Sequence, residues 1–80
     1  MPKIAGNEAY YQEIQAVMDR LDVGMHEAEL IMLKDMIITM RLKEHKNHRE
    51  IAEHFQQVFG MSQGAYETRL RWVRRKYVCP

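Results

Sequence analysis

The chain predicts an all-α fold of about four helices, with a C-terminal helix-turn-helix variant. Three observations carry this expectation. Apolar residues recur at spacings of three and four in each of four segments. Capping residues and glycines stand where those segments should start and stop. No stretch alternates apolar and polar residues over the length of a strand. The β-branched Ile37, Ile38 and Thr39 sit inside a helical pattern, which isolates them from any strand neighbour.

Residues 1–6 read as a loose arm. Asn7 is placed to cap the first helix, and Glu8 follows in its first turn, where a carboxylate is favourable. Tyr10, Ile14, Val17 and Leu21 form its apolar stripe, with Tyr11 and Met18 alongside. The helix is expected to end near Asp22, with Gly24 as its stop. Its outer side carries Glu13 and Asp19 and is unsuited to a phosphate backbone. The second helix is expected from Glu27 to about Glu44. Leu30, Leu33, Ile37 and Met40 make one stripe, Ile31 and Ile38 flank it, and Met32 and Met36 widen it. A helix this apolar needs cover on several sides. Either it is the centre of a monomeric core or a partner covers it; we expect a homodimer. Residues 43–47 form a polar connector.

Residues 47–77 organise the rest. Asn47 and Glu50 have the spacing of a capping box. Ile51, Phe55 and Val58 repeat at helical spacing, and Gly60 after Phe59 supplies a stop. Ser62 is an N-cap for the fourth helix. On that helix Tyr66, Leu70, Val73 and Tyr77 share a stripe, which leaves Thr68, Arg69, Arg71, Trp72, Arg75 and Lys76 on the other side. A helix that buries apolar residues on one face and shows arginines on the other has the form of a DNA-reading helix. The whole chain, 1–80, reads as one helical domain. Residues 7–45 are an acidic and apolar scaffold, and 47–77 are the helix-turn-helix.

Charge supports this division. Net charge is only +1, but residues 1–40 hold three basic and seven acidic residues, and residues 41–80 hold nine basic and four acidic. A basic working surface carried by an acidic remainder is the expected arrangement. With 80 residues there is room for one modest core. No apolar run approaches the ~20 residues of a membrane span, and no secretory leader is expected. The single cysteine, Cys79, cannot form an internal disulfide. A cytoplasmic location is expected. The seven methionines read as adaptable core filler or as part of a subunit contact.

Residues 60–77, GMSQGAYETRLRWVRRKY, resemble the recognition helix of the promoter-reading domain of bacterial sigma factors. The match runs through Gly60, Met61, Ser62, Gly64, Tyr66, Arg69, Leu70, Arg74, Arg75 and Lys76 without a gap, and upstream through Glu50, Ile51, Ala52 and Glu53. Residues 54–59 depart from it as a one-turn insertion. The separate polymerase-binding and promoter-opening domain of that family has no counterpart in the chain. The resemblance therefore implies a DNA-binding fold, or a regulator that borrows it, and not a sigma factor.

Roles follow from this reading. Ser62, Gln63 and Gly64 open a helix whose backbone N–H groups can hold a phosphate. Gln63, Glu67, Thr68 and Arg71 are candidates for base edges, and Arg69, Arg75 and Lys76 for phosphate clamps. Trp72 is expected to pack, on the first helix or at a dimer contact, rather than to stack on a base. The expected function is a small sequence-specific DNA-binding transcriptional regulator, of phage or other mobile-element size, with double-stranded DNA as partner. The alternative is a helical interaction module, an adaptor or inhibitor of a host protein such as RNA polymerase. An RNA-binding use of the arginine-rich tail is weaker, because it lacks interleaved aromatics. His45 and His48 are three apart, but one cysteine and no CxxC argue against a structural zinc site. No catalytic residues, metal or cofactor are expected. Carboxylates are scattered, Cys79 stands at a frayed end, and neither a phosphate loop nor HExxH is present.

Overall fold

The computed structural model describes residues 5–78. They form four α-helices: α1 (Ala5–Leu21), α2 (Met25–Leu42), α3 (His48–Phe59) and α4 (Gln63–Tyr77). Among the described residues there is no strand. α1 packs on α2 and α3, and α4 packs on the same two helices from the other end of the chain.

Local chemistry sets most boundaries. Asn47 Oδ1 accepts the Glu50 N–H at 2.9 Å, and Glu50 Oε1 accepts the Asn47 N–H at 2.9 Å, so the capping box at the start of α3 is complete. Gly60 ends α3 in the left-handed region, at φ 66°. That conformation costs glycine least. Ser62 Oγ accepts the Ala65 N–H at 3.2 Å and caps α4.

Three boundaries differ from expectation. α1 begins at Ala5, so Asn7 lies within the helix instead of capping it, and of the expected arm only residues 1–4 lie outside the described residues. The stop after α1 is Asp22, left-handed at φ 56°. Gly24 is extended and opens α2. Aspartate tolerates the left-handed region because its short polar side chain can bond locally. α2 also ends earlier than expected, at Leu42, and His45 at φ 58° turns the chain toward α3.

The core lies where the stripes of all four helices converge. Tyr66, Phe55, Ile14, Leu33 and Ile51 are its most enclosed large side chains. Phe55 stacks on Tyr66 with ring centroids 5.3 Å apart, and Tyr10 meets Phe59 edge-on at 5.4 Å. Tyr10, Ile14 and Val17 are buried as expected, but Leu21 is exposed. Met32 corrects a larger expectation. It is only 4 % exposed, covered by its own chain, so it needs no partner molecule. The apolar residues that α2 leaves open are Met25, Ile38 and Leu42.

One polar cluster joins three helices. Glu29 on α2 is buried, and its Oε2 accepts the Tyr10 hydroxyl at 2.5 Å and the Arg69 Nε–H at 2.9 Å. Arg69 Nε–H also reaches the Tyr10 oxygen at 3.2 Å. Burial and then the Glu29 carboxylate push the Tyr10 phenol well above its ordinary range, so it stays a donor. Removing Glu29 leaves a half-buried guanidinium without its counter-ion. Glu29→Ala should therefore lower unfolding free energy by about 3 kcal/mol. Tyr10→Phe, which removes one hydrogen bond to a charged group, should cost about 1.5 kcal/mol. Urea denaturation of both variants measures the difference.

Candidate nucleic-acid interface

α3, the Gly60 turn and α4 form a continuous helical pair. Residues 54–59 extend α3 without a break, so the extra turn noted in the sequence belongs to that helix. α4 buries Tyr66 and Val73. Counted at about 100° per residue, its outward face then carries Gly64, Thr68, Arg71 and Arg75. Gln63, Glu67 and Arg74 form the flank toward the start of α3, and Trp72 and Lys76 the opposite flank.

The start of α4 has the chemistry of an anion site in one respect. Ser62 satisfies the Ala65 N–H, and among the described residues the N–H groups of Gln63 and Gly64 have no acceptor. A Cβ at Gly64 would meet nothing within 4 Å, so packing inside the molecule does not require glycine there. Gln63 Nε2–H donates to Glu67 Oε2 at 3.2 Å, which orders both side chains on the surface. The Thr68 hydroxyl donates to the Gly64 carbonyl at 3.0 Å.

Among the described residues Arg71, Arg74, Arg75 and Lys76 are exposed and form no ion pair. Three of them occupy the last turn of α4, where positive charge also favours the helix dipole. Arg71 and Arg74 line a hollow of about 290 Å³ with His48, Leu70 and Glu67. His48, Arg49 and Gln63 line a neighbouring hollow of about 420 Å³. Thus the N-terminus of α3 and one flank of α4 make a single polar strip in which Arg71 and Arg74 are unpaired among the described residues, Arg49 faces Glu53 at 3.9 Å, and Glu67 stands between. Arg41 and Arg74 lie close enough to the Tyr66 ring to oppose, in part, the upward shift that burial imposes on its phenol.

The structure brings together Ser62, Gln63, Gly64, Glu67, Thr68, Arg71 and Arg75 of the sequence-derived set. It separates two others. Arg69 turns inward to Glu29 and Tyr10, so its guanidinium is already engaged and it does not belong to the exposed basic face. Lys76 is exposed but stands on the far flank. Trp72 packs, as expected, but against α2 rather than α1: its ring meets His26 at 5.4 Å and lies 5.4 Å from the Arg69 guanidinium carbon. His48, Arg49 and Arg74 join the strip, although the sequence reading gave none of them a nucleic-acid contact. Arg74 follows Gln63 by eleven residues and Glu67 by seven, and that spacing was the signal available for it.

His45 lies within the α2–α3 connector and His48 is the first residue of α3. Among the described residues no three His, Cys, Asp or Glu side chains gather to hold a metal ion, and Cys79 lies outside those residues. Among the described residues no helix is long and apolar enough to cross a membrane. Comparison with family models, curated proteins and solved structures finds no match to this chain.

His54 gives a pH signature. Its ring packs on Phe55 and Phe59, and burial followed by the nearby Lys46 lowers its pKa below the ordinary histidine value. The unfolded chain then binds more protons than the folded one in and below that range. Stability from this residue is present above about pH 6.5 and is lost as the pH falls below it. His54→Gln should flatten the pH dependence of the urea midpoint between about pH 7 and pH 5.

Proposed function

We propose that this chain is a small sequence-specific DNA-binding transcriptional regulator, with α3 and α4 acting as a helix-turn-helix and α4 as the reading helix. The observation that carries the reading is the outward face of α4. Gly64, Thr68, Arg71 and Arg75 follow one another along it, its cations form no ion pair among the described residues, and Gln63 on the adjoining flank leads to His48 and Arg49 at the start of α3. Gln63 suits adenine and Arg71 suits guanine in the major groove. Arg74 and Arg75 supply phosphate contacts that carry affinity without sequence. Gly64 leaves room for a phosphate to approach the helix N-terminus.

A homodimer would set two α4 helices on half-sites about one turn of DNA apart. Met32 no longer argues for it, since that side chain is enclosed, and sedimentation equilibrium at micromolar concentration decides it. The alternative, an interaction module that engages a host protein such as RNA polymerase, draws on the apolar residues left open on α2.

Arg71→Ala and Arg75→Ala should each weaken binding to a duplex pool and reduce the salt slope by roughly one. Gln63→Ala should lose roughly 1–3 kcal/mol of discrimination at particular base pairs and keep non-specific binding. If all three variants stay folded and change neither affinity, salt slope nor sequence preference, the DNA-binding reading fails. Gly64→Ala separates binding from folding. It should raise thermal stability slightly, since alanine is the better helix former by up to about 1 kcal/mol, and should weaken DNA binding by crowding the phosphate. Circular dichroism melts and filter binding measure the two effects.

A further inference from the structure

A groove of about 450 Å³ runs between α2 and α4, floored by Ile37, Leu70 and Val73 and walled by Ile38 and Tyr77. Ile38 is 46 % exposed and Tyr77 39 %, and Leu42, one turn beyond Ile38, is 71 % exposed. The apolar surface therefore continues past the groove along α2. Every charged residue that lines the groove is a cation: Lys34, Arg41 and Arg74. The Lys34 Nζ sits 5.0 Å from the centre of the Tyr77 ring and braces one wall to the other.

We propose that this groove docks an amphipathic helix of another protein, with its apolar face on Ile38, Val73 and Tyr77 and its acidic residues against Lys34, Arg41 and Arg74. Two helices already form the walls, and a third laid between them completes a packed trio. This is the helix-in-groove mode of recognition. The charge of the partner follows from the rim, where Arg41 and Arg74 form no ion pair among the described residues and Lys34 is met only by its neighbour Asp35, at 3.4 Å. A second copy of this chain fits poorly, because an isologous contact through the groove would set the same cation-lined rims against each other. Nucleic acid answers the cations but leaves the apolar floor wet. The inference does not rest on DNA binding by α4; the two surfaces share only Leu70 and Arg74.

The test uses the full chain and two synthetic helical peptides of about 15 residues, identical in their leucines, one with glutamate and one with lysine at every polar position. The glutamate peptide should bind, and its amide shift changes in the protein should centre on Ile38, Val73 and Tyr77. The lysine peptide should bind at least about tenfold more weakly, the equivalent of roughly 1.4 kcal/mol. Ile38→Glu and Arg41→Glu, both at exposed positions, should each weaken the glutamate peptide by about tenfold with circular dichroism unchanged. Gln63→Ala should leave peptide binding as it was, which distinguishes this surface from the DNA face. Equal binding of the two peptides, no binding at all, or shift changes outside the groove would overturn the proposal. So would wild-type self-association abolished by Ile38→Glu, which makes a second copy the occupant. Shift changes at Ile38 and Tyr77 on adding a DNA duplex would overturn it as well.

Discussion

The buried carboxylate of Glu29 constrains more of this molecule than any other group. It sits on α2 with one partner from α1 and one from α4. A carboxylate taken from water must be met by donors, and only Tyr10 and Arg69 meet it here. Their geometry fixes the rotation of α4 about its own axis. With Arg69 turned toward Glu29, the helical repeat sends Gly64, Arg71 and Arg75 outward and brings Tyr66 and Val73 onto the core. The composition of the exposed strip is thus decided by a contact on the opposite side of the helix.

Much of the fold was legible because its signals are local. The Asn47–Glu50 box, the Gly60 stop and the Ser62 cap each involve residues within a few positions of one another, and each stands where the sequence placed it. The core stripes were legible for the same reason. What escaped depends on distant residues. Glu29 reads in sequence as one more solvated acid on a helix, and Arg69 as one more free cation; the pair is separated by 40 residues. Met32 looked in need of a partner molecule because nothing in the sequence tells how α1, α2 and α4 wrap around one another. Asp22 took the left-handed position expected of Gly24, since two residues near a helix end can both serve and only the path of the chain selects between them.

The charge halves of the sequence become surfaces of different character. α1 exposes Glu13 and Asp19, and α4 exposes arginines that no internal acid neutralises. A molecule of such low net charge can still present a directional field when its charges are segregated in this way. Arg74 stands where the basic strip meets the apolar groove between α2 and α4. It is the place where events on one surface would be felt by the other.

The way the four helices close on one another bears on modularity. α3 touches α1 and α4, α4 touches α2, and α2 returns to α1. The helix pair of the C-terminal half is therefore not a detachable cassette. Excised and grafted onto another scaffold, it would carry away an arginine without its carboxylate and expose Ile51 and Phe55, which are sealed in the intact chain. Re-engineering of its exposed face would have to proceed the other way, by exchanging outward residues of α4 within this scaffold.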